Sequence, residues 1–302
     1  MQAEITLPAR WVDANLLDDS FKHQRAVHDQ VVTRVQITFP RDCKVMVDAG
    51  TRLLSLVNQA ATATKDVSLV FEEGAAGTMG YLQRMGFFNY LDPAVRVHPK
   101  LESVRQPAQR KHKMLVEFAR IHPSERDPDL PSQLADRVAG QASGMTQDRL
   151  EKFRFAAWHA FAELIQNIHR HANTAIEGYA AMQIYGGHRA VVSVSDSGLG
   201  LFETLRPALN KTDPQSAALS DPELLLRVVT DGLSRFGPEN GCGIRTSARH
   251  ALAFDTSIHF RLYNSSLLLE PRSGRSFVVA RHRHDLTPLW GTHVAFVFKL
   301  DA

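Results

Sequence analysis

Between residues 149 and 196 the apolar pattern changes period once, and that change constrains the fold more than any other feature. The stretch RLEKFRFAAWHAFAELIQNIHRHA, residues 149–172, repeats apolar residues at helical spacing. It leads into AAMQIYGGHRAVVSVSD, residues 180–196, whose two apolar runs meet at a Gly-Gly pair, the signal of a β-hairpin. At roughly 100° per residue, Ala157, Phe161, Leu164, Ile165 and Ile168 share one stripe of the helix. Glu163, Asn167, Arg170 and His171 share another, nearly opposite. Solvent exposure explains such a polar arc on a helix considered alone. Asn167 is a misfit there, because its side chain competes for backbone hydrogen bonds in mid-helix.

Upstream, residues 1 to 30 are polar and mixed. VVTRVQITFP is the first clear strand, AGTRLLSLVNQAATAT fits a helix, DVSLVFEE a short buried strand, and YLQRMGFFNYL a helix after the turn EGAAGTMG. AVRVHP and KMLVEFARIHP are further strand candidates around the basic segment KLESVRQPAQRKHK, read as a solvated connection. These place a small α/β domain over residues 1–125. The proline- and charge-rich stretch that follows makes 126–147 a linker, with room for one connecting helix. After the hairpin come about 40 irregular residues, a helix GIRTSARHALAF, and strands SIHFRLYN, SFVVARH and THVAFVFKL.

Composition excludes several classes. Lys plus Arg number 35 against 32 Asp plus Glu, a balance that gives no reason to expect a nucleic-acid partner. Cys43 and Cys242 are the two cysteines, far apart and without metal-ligand spacing, so neither a disulfide framework nor a zinc site is expected and a reducing cytoplasm is the simplest setting. The amino-terminal residues lack the pattern of an export signal, and no run of 18 apolar residues occurs, so the expectation is a soluble protein without membrane association.

Two glycine motifs accompany the helix. In VVSVSDSGLG, residues 191–200, the period of a strand puts Asp196 on the face of Val192 and Val194, so a carboxylate is carried inward where the strand ends. Gly198 and Gly200 follow it. In NGCGI, Gly241 and Gly243 stand immediately before a helix, where backbone N–H groups can hold phosphate. Each motif alone also suits an ordinary turn. Their order and spacing, E-x-x-x-N on a helix, D-x-G-x-G about 30 residues on, and G-x-G opening a helix about 40 further, resembles the N, G1 and G2 boxes of the GHKL ATP-binding superfamily. WGTHVAFVFKL resembles its closing Gly-Thr strand, with Thr292, Val294, Phe296 and Phe298 on one face.

The resemblance covers residues 148–302 and implies a Bergerat-type α/β sandwich, so the expected fold class is α/β (α+β). It implies ATP and Mg²⁺ as cofactors. Asp196 would accept from the adenine amino group, supported by Thr292. Asn167 would give Mg²⁺ an amide oxygen, Arg170 would face phosphate, with His171 beside it, and Glu163 would orient and deprotonate the attacking water or hydroxyl. Gly198, Gly200, Gly241 and Gly243 would shape the pocket, and residues 201–240 would form a mobile lid containing a helix with Asp221 as N-cap. Arg227 and Arg235 are phosphate candidates as well as ordinary solvated charges. GCGIRT departs from the commoner G-x-G-L-G, with Arg245 near the missing glycine.

HDLTPL, residues 284–289, reads as a loop rather than a phosphoacceptor box, and His159 as a packed or half-exposed helix residue. Residues 33–100 weakly resemble a STAS-type domain, in which a hydroxyl at a strand-to-helix turn accepts phosphate. Here that turn offers only Thr78, which also suits a helix cap. The resemblance thus implies a regulatory protein with slow ATP hydrolysis or Ser/Thr phosphorylation, acting on an unidentified protein partner and compatible with a homodimer. A nucleotide-gated binding module without turnover is the alternative.

Overall fold

Two sheets of opposite character share one central helix. The computed structural model describes residues 1–22, 27–101, 115–140, 142, 144–171, 174–235, 242–273 and 276–300, with the side chains of Leu115, Val116, His171 and Cys242 outside that description. The fold is mixed α/β. Strands β1 (Gln2–Thr6), β3 (Arg34–Phe39), β5 (Asp66–Phe71) and β6 (Arg96–His98) form a parallel sheet in that order. A two-residue pair, β2 (Trp11–Val12) and β4 (Lys44–Val45), flanks it.

The second sheet is antiparallel and seven-stranded. Its members are β7 (Leu115–Ile121), β8 (Gly178–Tyr185), β9 (Arg189–Ser195), β10 (Ser257–Arg261), β11 (Ser266–Arg272), β12 (Ser276–Arg283) and β13 (His293–Lys299), in the order β12-β11-β10-β13-β9-β8-β7. The β8–β9 hairpin turns at Gly186-Gly187, as the sequence indicates. Helix α5 (Gln147–His171) lies on one face, with Ala157, Phe161, Leu164, Ile165 and Ile168 buried against Val192, Val194, Val294, Phe296 and Phe298. Each large apolar side chain removed from water there is worth about 1.5–3 kcal/mol. Helix α4 (Leu130–Ala139), in the expected linker, packs on α5.

The opposite face is covered by α2 (Val47–Thr62), which contacts β8 and β9 on one side and β5 on the other. Lying between two sheets, α2 buries its polar residues as well as its apolar ones. Thr51 Oγ1 meets Ser193 Oγ at 2.7 Å, and Asn58 Nδ2 donates to the Tyr179 hydroxyl at 2.6 Å. Arg52 pairs with Asp18 at 2.7 Å, and Arg261 of β10 reaches the other oxygen of the same carboxylate at 3.1 Å. Asp18 belongs to α1 (Ala14–Phe21), so the cluster joins both parts of the chain. Burying charge is tolerated here because the carboxylate is shared and the guanidiniums also donate to backbone carbonyls of Ala14 and Tyr263.

Several sequence expectations change. Residues 1–30, polar and mixed in sequence with no element placed in them, contain β1, β2 and α1. KMLVEFARIHP, grouped with the amino-terminal domain, supplies β7, which pairs with β8 at the edge of the larger sheet. In the segment expected as the lid, the one helix expected there is present as α8 (Asp221–Thr230), and α6 (Leu201–Thr212) and α7 (Pro214–Ala217) precede it in what was expected as irregular chain; Phe202, Leu205, Leu209, Leu224, Leu225 and Val228 join the same core as α5. The N-cap of α8 is Ser220, in a capping box with Glu223, and Asp221 is the first helical residue. HDLTPL is a loop, as expected. Most of the basic segment KLESVRQPAQRKHK falls outside the described residues. Among the described residues no helix is long and apolar enough to cross a membrane.

Candidate functional site

Where β9 ends, the chain must turn away from the sheet, and β13 begins alongside it. The junction is tied by the Asp196 backbone N–H, which donates to the Thr292 carbonyl at 3.1 Å. The Asp196 carboxylate is held from two sides: Gly198 N–H donates to Oδ1 at 2.7 Å and Thr292 N–H to Oδ2 at 3.2 Å. Gly291 makes this approach feasible. Its φ is +91°, and a Cβ there would stand 2.1 Å from the Asp196 carbonyl oxygen. Burial pushes the Asp196 carboxyl up to about 6, against the opposing effect of the two N–H donors.

Asp196 and Thr292 lie in a cleft of about 970 Å³, open mouth included. Its walls are apolar: Leu164 and Ile168 from α5, Val194 and Val294 from the sheet, Leu205 and Val228 from α6 and α8. Glu163, Asn167 and Arg170 of α5 also line it, along with Gly200 and Gly243. Glu163, Asn167 and Arg170 of the polar arc thus border the cleft, the first two half-buried and Arg170 exposed at its edge. Gly198 acts through its bond to Asp196. Gly241 lies outside the described residues, and the side chain of His171 does too.

Helix α9 (Cys242–Ala251) begins against α5, and the absence of a side chain at Gly243 leaves room there for the Glu163 carboxyl. A Cβ on Gly243 would fall 1.7 Å from Glu163 Oε2. Burial raises the Glu163 carboxyl above its ordinary range, and Arg170 draws it partly back. Among the described residues, neither the Glu163 carboxylate nor the Asn167 amide has a hydrogen-bond partner, so both present open polar atoms to the cleft. This pairing suits a carboxylate base beside an amide ligand for a hard cation bound mainly through other oxygens. Among the described residues, no group of three or more His, Cys, Asp or Glu is arranged to hold a metal by itself.

The two arginines considered as phosphate candidates separate. Arg235 lines the cleft and donates through Nη2 to the Arg170 carbonyl at 2.8 Å. Arg227 is paired with Asp231 at 3.2 Å and donates to Ser216 Oγ at 2.6 Å, away from the cleft. Thr78 is the first residue of α3 (Thr78–Arg84), buried, and its hydroxyl donates to the Cys43 carbonyl, so it neither caps that helix nor faces solvent as a phosphoacceptor would. His159 is half-buried, stacked on His250 at 4.6 Å. Gly291 belongs to the Gly-Thr pair noted in the sequence, whereas Thr204, which lines the cleft and donates through Oγ1 to the Gly200 carbonyl at 3.1 Å, carries no local signal. Neither a family model nor a curated protein matches the chain.

Proposed function

We propose that the chain is an ATP-binding regulatory protein of the GHKL type, using Mg²⁺ for slow ATP hydrolysis or for Ser/Thr phosphorylation of a protein partner. The observation that carries this reading is the convergence of Glu163, Asn167, Arg170, Asp196, Gly200, Gly243 and Thr292, drawn from distant segments, on one cleft. The chemistry of the lining supports it. A flat base fits between the apolar walls, with an acceptor at Asp196 for an exocyclic amino group. Phosphates extend toward Arg170 and the start of α9, where helix polarity favours anions. Asn167 offers an amide oxygen to Mg²⁺, which supplies charge neutralisation at the phosphates. Glu163 accepts the proton of the attacking water or hydroxyl, and its raised carboxyl makes it a stronger base than an exposed glutamate.

A second reading is a nucleotide-gated binding module without significant turnover, in which α6 and α8, which line the cleft and also pack into the core, would carry the response to the nucleotide. Glu163→Gln separates the two. Under the first reading the variant loses turnover by about 10²-fold or more while keeping ATP affinity. A wild type that binds ATP, changes conformation and releases neither ADP nor phosphoprotein would favour the second.

A further inference from the structure

The two segments that hold the Asp196 carboxylate are gripped again from behind. Gln59, near the carboxy-terminal end of α2, is fully buried. Its Nε2 donates to Ser197 Oγ at 2.9 Å and to the Trp290 carbonyl at 3.0 Å. Its Oε1 accepts from the Trp290 N–H at 3.3 Å and lies 3.0 Å from His28 Nε2. All four hydrogen-bonding positions of the amide are thereby used, which fixes its orientation. His28 also stacks on the Trp290 ring at 4.2 Å and 11°. Burial lowers His28 to about 4, so the ring is neutral, and Nε2 carries the proton because Oε1 can only accept.

Ser197 follows Asp196 directly, and Trp290 precedes Gly291 and Thr292. The carboxylate on the cleft side and the Gln59 amide on the far side therefore clamp the same two stretches of backbone, 196–198 and 290–292. A shift of either stretch alters the distance between the Asp196 carboxylate and the Thr292 N–H. Gln59 belongs to the amino-terminal part of the chain, so the contact runs between the parallel-sheet unit and the floor of the cleft.

We propose that Gln59 is a positioning residue for the base-recognising end of the cleft, through which the amino-terminal unit sets preference among nucleotides. The inference rests on the nucleotide reading above. It requires that the residue act on discrimination at Asp196 more than on binding in general. A group that merely glued the two units together would weaken every ligand alike.

The test uses the full chain and two probes, MgATP and Mg-inosine triphosphate, which has a carbonyl oxygen where adenine carries its amino group. Affinities are measured by calorimetry for wild type, Gln59→Met and Ser197→Ala, with melting temperatures recorded alongside. Gln59→Met should lower ATP affinity about tenfold, the scale of one or two lost hydrogen bonds, and leave inosine triphosphate affinity unchanged. Ser197→Ala removes a single partner and should shift the ratio in the same direction by about threefold. It decides the matter if Gln59→Met does not fold. An unchanged ratio, or an equal loss for both nucleotides, overturns the positioning role while leaving the nucleotide site intact. Wild type that binds neither nucleotide overturns both.

Discussion

Replacing Asp196 by asparagine removes a titration that the fold makes costly, and the consequence is measurable without any ligand. The ordinary carboxyl value of 3.8 is raised to about 6 by burial. Because the folded value is above the unfolded one, the associated stability is fully present below pH 3.8 and is lost as pH rises through 6. The two values differ by about 2, so the loss totals about 3 kcal/mol, of which about 2 kcal/mol falls between pH 4.5 and 8. Asparagine does not titrate. It leaves the Thr292 N–H facing either an oxygen or an amide donor, a penalty that does not vary with pH. The stability of Asp196→Asn relative to wild type should therefore rise by about 2 kcal/mol from pH 4.5 to 8, whatever its starting offset. Urea unfolding followed by tryptophan fluorescence, at half-unit pH steps and with matched slopes, measures this difference. A difference that is flat within about 0.5 kcal/mol, or that falls with pH, would refute the argument that the carboxyl is held in a desolvated site.

Two other substitutions probe the frame around the cleft. Asp18→Ala leaves the Arg52 and Arg261 guanidiniums buried without their shared carboxylate and should cost about 3–5 kcal/mol, read as a lower urea midpoint; a loss under about 1 kcal/mol would contradict the cluster's role. Gly243→Ala drives a methyl into the end of the Glu163 side chain, which can swing away. It should change stability by less than about 1 kcal/mol while reducing any ATP turnover by about tenfold or more, checked by a phosphate-release assay.

The cleft was more legible in the sequence than the frame that supports it. The α5 stripe and the β8–β9 hairpin each express one clean period, and the polar arc of α5 could be read because its apolar complement was continuous. Helix α2 could not be read that way. Thr51, Arg52, Ser55, Asn58 and Gln59 look like a solvated face, yet they are buried against a second sheet whose presence on that side no local pattern announces. Strand β1 has only Ala3 and Ile5 as its inward pair, too little for a period to register. Strand β11 was hidden by Pro271, which signals against a strand between two neighbours. The ladder resolves the conflict: β10 pairs with Ser266–Leu269 only, and Pro271 lies beyond it, paired with β12 alone. Of the helices over the cleft, α8 was legible from Pro222 at its start, whereas α6 and α7 were missed because their apolar residues pack in short runs interrupted by Pro207 and Pro214.

The most direct test of the central claim is a calorimetric titration of the folded chain with ATP in the presence of Mg²⁺, beside Asp196→Asn as the paired control. The account predicts saturable binding by wild type and its loss in the variant, with the variant's far-ultraviolet circular dichroism unchanged. Absence of heat from a wild type shown to be folded, or equal binding by both proteins, would contradict the assignment of the cleft to a nucleotide.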